Sequence, residues 1–460
     1  MDVQNSSIQT FCLVYVMFTK KKNLHFFYSS NQVNSNDELP VDTDKVVTLY
    51  VLVSLISENY NVCSQRTALD IELNRFYRPL RSLYLDFVTR LTNPPDNKVL
   101  QERGKIQALG KRTRSLSNCD SKNGPGARSP QVPTSVHRLR PGDIDIVGAL
   151  GDSLTAGYGI FATNLLQVLV ENRGVSWSIG GQGHWQQYLT LPNILKEFNP
   201  NLYGYSLNDS LSIDRNSRFN VAEGGAMSRD MPYMAKILVK RLKHDPHVNI
   251  TQHWKLFTLL IGSNDFCADV CYHPNPMKTI DWHEENMLKT YRYLRDNVPR
   301  LMLNVVPAPN LSFLRKLKSI PPQCHATLKF ECPCIMGRSE EQVNSMQILM
   351  NNWFERDIKV AIRDEFNTET FTINIQPFTK DYIYPTLKNG YTDRSYASED
   401  CFHISQKHQA ACANAYWNNM LQLPGEKEKL STQSLGKLLC PTDKRPYLIT
   451  RVNSYKNFKV

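Results

Sequence analysis

Apolar residues along this chain follow two different periods. Short continuous runs of strand length occupy residues 143–150, 175–179, 219–222, 256–261 and 301–306, each closed by glycine, proline or polar residues. Between them the apolar positions recur at helical spacing, as over 161–170 and over 234–242, where Lys236, Lys240, Arg241 and Lys243 form a solvated face. Short apolar runs bounded by turn signals read as strands buried on both faces, and strands alternating with helices read as a parallel sheet covered on either side. The fold class expected is therefore α/β, with a five-stranded parallel sheet at the centre of a domain over 143–425. Later helices are expected over 342–366 and 406–423, with an edge strand within 371–378, and residues 426–460 as a tail packed on the domain.

Open sheets of this kind place ligands beyond the carboxyl ends of their strands. Here those ends read Gly151-Asp152-Ser153-Leu154, Gly180-Gly181-Gln182-Gly183, Gly224-Gly225, Gly262-Ser263-Asn264-Asp265 and Pro307-Ala308-Pro309-Asn310.

Upstream of residue 143 the pattern weakens. The first 45 residues are polar and mixed apart from a short apolar patch at 11–18. Lys45 then introduces eleven residues, 46–56, too short to cross a bilayer but of the right length for a signal-peptide core. Val62 and Ser64 satisfy the small-residue rule for cleavage, which puts a mature start at Gln65. Its distance from Met1 is unusual for a leader, and a buried strand is the competing reading. Residues 1–64 are thus expected to be a leader with a signal-like segment at 46–64. Residues 65–142 comprise a helix over 68–91 and a Pro-, Gly- and Ser-rich arm whose Cys119 is a candidate staple to the core.

Composition narrows the function classes. Lys and Arg number 54 against 43 Asp and Glu, a formal charge of +11 that favours an anionic partner. No basic tract interleaved with base-stacking aromatics occurs, which disfavours nucleic acid and leaves an anionic lipid surface. The 11 cysteines form no paired Cys-x-x-Cys modules, so disulfides in an oxidising compartment fit better than metal ligation. Loss of Cys12 and Cys63 with the leader would leave an odd number, hence at least one thiol free or bridging two chains. Sequons at Asn208, Asn249 and Asn310 agree with a secreted or extracellular protein, and no segment near Val460 has the length of a membrane anchor.

The chemistry centres on Ser153. A serine hydroxyl attacks a carbonyl only if an imidazole takes its proton and a carboxylate fixes the imidazole tautomer. Asp400 and His403, two residues apart in one loop, can supply both. The developing oxyanion requires fixed N–H donors, for which Gly225 and Asn264 are candidates. Taken singly, each is equally a turn or capping residue.

Taken together, Ser153, Gly225, Asn264 and His403 fall in the order and context of the GDSL, or SGNH, hydrolases, which this chain resembles. It is most similar to the membrane-associated phospholipase B branch, through Pro133-Thr134-Ser135-Val136-His137, Leu139-Arg140-Pro141, Ser176-Trp177-Ser178-Ile179-Gly180-Gly181, Leu191-Pro192-Asn193-Ile194-Leu195, Asn220-Val221-Ala222, Gly224-Gly225-Ala226, Cys440-Pro441-Thr442 and Pro446-Tyr447-Leu448. The resemblance covers roughly residues 65–454.

It implies a flavodoxin-like three-layer α/β/α sandwich and an esterase that needs no metal or cofactor. The expected substrates are phospholipids and lysophospholipids met at a membrane or micelle surface. It further implies Ser153 as nucleophile, His403 as base, Asp400 as its orienter, and an oxyanion hole from the Ser153 and Gly225 backbone N–H groups and the Asn264 amide. Gln182 stands where the branch usually carries an acidic residue, which bears on substrate detail. A carbohydrate or short-chain O-acyl esterase, or an inactive binding relative, would share the same fold.

Overall fold

Four parallel strands hydrogen-bond in sequence order: β1 (Ile146–Gly151), β2 (Lys255–Ile261), β3 (Leu301–Pro307) and β4 (Phe371–Ile375). The first three are buried along their whole length, which is why they read as continuous apolar runs. Their side chains alternate between two cores. Leu256 and Leu260 of β2 enter one, with Val147, Ala149, Met302 and Val306, and Phe257, Leu259 and Ile261 enter the other. Helices α1 (Leu191–Phe198) and α5 (Gln406–Leu421) fill the first core, and α2 (Met231–His244) and α3 (Thr279–Asn297) the second. The result is the expected α/β/α layering. A third core lies under α4 (Glu340–Ala361), through Met346, Leu349 and Trp353.

This computed structural model describes residues 97–109, 119–427, 429–430 and 435–455, with residues 81, 83–85, 87 and 88. The signal-like segment 46–64 and the rest of the leader lie outside the described residues. So does most of the helix expected over 68–91, of which the described residues are helical.

The sheet has four strands where five were expected. Residues 175–179 form no strand: Arg173–Val175 is a 3-10 turn, and Gly180 N–H folds back to the Ser176 carbonyl at 2.8 Å. Trp177 and Ile179 are apolar because they fill the first core, not because they pair. Residues 219–222 also fall short. The outer edge of β1 is divided between two segments, with Val147 N–H donating to Tyr203 O (2.9 Å) and Ala149 N–H to Phe219 O (3.0 Å), so each makes a single bridge. The helix expected over 161–170 is a 3-10 turn, Leu165–Leu169, started by the Asn164 side chain. Residues 371–378 do contain the edge strand, β4.

Nine cysteines are described. Four disulfides join Cys119 to Cys440, Cys267 to Cys332, Cys271 to Cys334 and Cys324 to Cys401, leaving Cys412 as a buried free thiol, in keeping with the odd count. Cys12 and Cys63 lie outside the described residues. The Cys119–Cys440 bridge ties the arm to the C-terminal segment, which is also held where the Trp417 indole N–H donates to Leu439 O at 2.8 Å.

At the end of β1 the carboxylate of Asp152 accepts from Leu154 N–H at 3.0 Å and so caps the helix Ser153–Ala156. Its other oxygen is buried without a hydrogen-bond partner. Burial drives this carboxyl up from the usual 3.8 to about 7, despite the Leu154 N–H and the nearby His403 charge, which pull it down.

Two stability measurements follow from these features. Replacing Cys119 and Cys440 together by serine should lower unfolding free energy by about 2–4 kcal/mol, read from urea midpoints. For Asp152 the unfolded chain sheds its proton near pH 4 while the folded chain keeps it to about 7, so the folded state binds more protons in that window and stability falls as pH rises. Asp152→Asn keeps the capping acceptor and removes this dependence, gaining on the parent by up to about 1.4 kcal/mol per pH unit across the window. An equal stability difference between variant and parent at pH 4 and pH 8 would show that folding leaves the carboxyl's pKa unraised.

Candidate active site

The register of β1 on β2 pairs Gly151 with Leu260, so both chains leave the carboxyl edge of the sheet side by side. One enters Asp152-Ser153 and the other Gly262-Ser263-Asn264. Gly151 has φ +155°, and a Cβ there would lie 2.6 Å from Thr155 Oγ1 and 2.7 Å from Leu260 O, so only glycine permits this close turn. Ser153 follows at the first position of its helix, and no hydrogen bond engages its backbone N–H among the described residues.

The Gly224-Gly225 loop is tied to that turn by Glu223 N–H, which donates to Gly151 O at 3.1 Å. Gly225 has φ +74° and open space on the side where a Cβ would stand. Asn264 Nδ2 donates to Ala226 O at 2.9 Å, joining this loop to the end of β2.

The third contribution comes from the loop before α5. His403 Nδ1–H donates to Asp400 Oδ2 at 2.5 Å, while Asp400 Oδ1 accepts from the Phe402 and His403 backbone N–H groups, each at 3.0 Å. Burial pushes the Asp400 carboxyl up, but the His403 charge and these hydrogen bonds outweigh it and hold the group below the usual carboxylate range. The other ring nitrogen of His403, Nε2, is buried with no hydrogen-bond partner. The loop itself is fixed by the Cys324–Cys401 bridge and by Thr327 Oγ1, which donates to Asp400 O at 2.6 Å.

Tyr158 connects this loop to the serine turn. Its N–H donates to Ser153 O at 3.1 Å, and its ring stacks on His403 with centroids 5.6 Å apart. Ser398 Oγ–H donates to Gly159 O at 2.6 Å, a second tie between the same segments. Ser153, Gly225, Asn264, Asp400 and His403 are thus gathered at one edge of the sheet.

An apolar cavity opens beside them. Leu154 is next in chain to Ser153, Phe402 and Ile404 flank His403, and the wall continues through Trp177, Phe313 and Phe378. Glu331 stands near Asp400 and His403, with potential ligand atoms within 4.8 Å of one another. As a metal site the cluster is poor, because three N–H donors already occupy the Asp400 carboxylate and Asp400 takes His403 Nδ1.

Several residues here had no signal in the sequence. Tyr158 is one; its hydroxyl accepts from Arg81 at 2.7 Å, and a Cβ on Gly224 would collide with that hydroxyl. Behind the Gly225 loop lies a buried row in which Ser228 Oγ meets His283 Nδ1 at 2.9 Å and His283 Nε2 meets Asp357 Oδ1 at 2.7 Å, with Trp353 stacked on the imidazole at 4.1 Å. Both ring nitrogens are engaged, so this row is a brace. Gln182 belongs to a turn, its Oε1 accepting from Asn208 N–H at 3.1 Å.

Comparison with known proteins identifies the family. The membrane-associated phospholipase B1 of Homo sapiens is 35% identical over 382 residues, 80% of this chain and 25% of that protein. That of Mus musculus is 37% identical over 343 residues, 71% of this chain and 22% of that protein. The chain therefore spans about a quarter of the length of these relatives. An extracellular lipase from Streptomyces rimosus is 14% identical with a TM-score of 0.28, over 58% of this chain and 95% of that one. The profile of the GDSL-like lipase/acylhydrolases matches residues 147–416, a span that opens within β1 and closes within α5 and so takes in every residue gathered at the sheet edge. By that match and by the identity to the phospholipase B1 sequences, the chain belongs to the GDSL-like lipase/acylhydrolase family.

Proposed function

We propose that this protein hydrolyses the acyl ester bonds of phospholipids and lysophospholipids through an acyl-enzyme on Ser153. The observation that carries the reading is the Asp400–His403 pair: its Nε2 has no hydrogen-bond partner, its ring stacks on Tyr158, whose N–H donates to Ser153 O, and Leu154, Phe402 and Ile404 beside these residues line an apolar cavity. Ser153 Oγ attacks the ester carbon and its proton passes to His403 Nε2, while Asp400 stabilises the imidazolium and keeps Nδ1 protonated. Charge then builds on the carbonyl oxygen, where the Ser153 and Gly225 N–H groups and the Asn264 amide donate to it. The intermediate collapses, the alcohol leaves with the proton from His403, and water repeats the sequence to release the fatty acid.

The cavity supports a long acyl chain over an acetyl group, because its wall is mainly leucine, isoleucine and aromatic rings, with Ser263, Thr379 and His408 the polar exceptions. The relatives' name, phospholipase B1, supports the same substrate class. Four disulfides support an oxidising compartment and hence a secreted or extracellular site of action. Hydrolysis of long-chain phosphatidylcholine should exceed that of acetylated sugars, and the opposite preference would overturn the lipid reading.

Ser153→Ala should leave the fold intact, abolish turnover and remove labelling by a fluorophosphonate probe. Retention of more than a few per cent of the rate would require another nucleophile.

Asn264→Ala should lower kcat by roughly 10² to 10³ with little change in KM, since the donor acts on charge present only in the transition state. A rise in KM alone would make Asn264 a ground-state binding contact. Asp400→Asn should cost on the order of 10⁴ in kcat by favouring the wrong tautomer, a loss that shrinks at high pH if hydroxide partly replaces the base. A defect in Asn264→Ala of the same pH dependence would contradict this division of roles.

A further inference from the structure

The segment 381–392 has two faces. Tyr382 and Tyr384 turn inward and line the cavity beside Ser153, while Ile383 between them is 62% exposed. The chain then closes a hairpin through the Thr386–Thr392 bridge, with Leu387 N–H donating to Tyr391 O at 2.8 Å. Leu387 and Tyr391 are 47% and 50% exposed at its tip, on either side of the exposed Lys388. Single exposed apolar residues are ordinary, but three within nine residues, Ile383 just before the hairpin and Leu387 and Tyr391 in it, concentrate apolar surface on this one segment.

A second segment repeats the arrangement. In the 3-10 helix Leu311–Lys316, Phe313 turns inward, its ring 5.3 Å from that of Tyr382 and 5.6 Å from that of Tyr384, while Lys316 and, just beyond, Lys318 are exposed. This segment is joined to the hairpin where Lys318 N–H donates to Thr392 Oγ1 (2.8 Å) and Thr392 N–H to Lys318 O (3.1 Å). Among the described residues no carboxylate pairs with Lys316, Lys318 or Lys388, whereas the two acids that bracket the hairpin, Asp381 and Asp393, are matched by Lys429 at 2.7 Å and Lys407 at 3.8 Å.

We propose that the Ile383, Leu387 and Tyr391 side chains, with Lys316, Lys318 and Lys388, form the face by which this protein seats on an anionic lipid bilayer. The occupant follows from the chemistry of the face. Apolar side chains and a tyrosine suit the headgroup boundary, and unpaired ammonium groups around them complement anionic headgroups. The same two segments present the aromatic wall of the cavity on their inner side, so docking brings that wall to the lipid. The purpose of the face rests on the lipid-ester reading; its binding does not.

Binding is read in a Ser153→Ala background, so that lipid is not consumed, by co-sedimentation with phosphatidylcholine vesicles containing about one third phosphatidylserine and with pure phosphatidylcholine vesicles. The parent should prefer the anionic vesicles, with partition weakening as salt rises. The triple variants K316E/K318E/K388E and I383S/L387S/Y391S should each lower partition by about tenfold or more. With Ser153 restored, both should cleave soluble p-nitrophenyl butyrate at the unmodified protein's kcat/KM. Unchanged partition of the variants, equal binding to neutral vesicles, or loss of soluble-ester cleavage together with binding would each overturn the docking face. Failure of the unmodified protein to cleave p-nitrophenyl butyrate would instead count against the esterase reading, with the vesicle measurement still deciding the face.

Discussion

The register that sets Gly151 of β1 against Leu260 of β2 is the constraint on which the functional end of this protein depends. Strands paired in parallel end at the same edge, so whatever follows each of them is delivered to one place. A shift of one residue would reverse the faces of β1 and carry Val147 and Ala149 into the wrong core. The two-sided burial of the sheet therefore protects the alignment of the Ser153 turn with the Asn264 turn. The glycine at 151 completes the device, since any side chain there would strike the neighbouring strand's carbonyl.

The groups around that edge are held by burial and by charge. Asp400 is ionised in a fully buried position because His403 and two backbone N–H groups face it, and Asp152, close by with one unsatisfied oxygen, is driven toward its neutral form. Two carboxyls in similar burial are thus shifted in opposite directions by the donors and charges around them. Beneath the Gly225 loop, Arg173 is buried entirely and satisfied by Glu171 and by the carbonyls of Ser210, Asn220 and Ala222, so a cation fixes the backbone that enters the loop.

How much of this was legible in the sequence depended on whether a signal was local. Strands β1, β2 and β3 were plain because burial on both faces leaves uninterrupted apolar runs. The same rule misled at 175–179 and 219–222, where Trp177, Ile179, Phe219 and Val221 are buried as core side chains of turns and single bridges. Each candidate site block stood out because its residues sit within a few positions of a strand end or within one loop. The brace of Ser228, His283 and Asp357 was not, since its members come from three distant parts of the chain and meet only after α3 and α4 have packed. Tyr158 was missed for a related reason: nothing beside it in the chain announces that its ring will lie on His403.

The distribution of the site along the chain has a consequence for biosynthesis. Chains emerge from the ribosome amino end first, and folding units form as they appear. The serine turn can be laid down early, but the loop bearing Asp400 and His403 follows β4, and Cys401 can lock that loop to Cys324 only after both have emerged and met an oxidant. A nascent molecule therefore carries Ser153 long before the Asp400–His403 pair has formed. The cluster at the sheet edge is complete only once that loop has joined the segment after the serine turn, through Ser398 and Gly159.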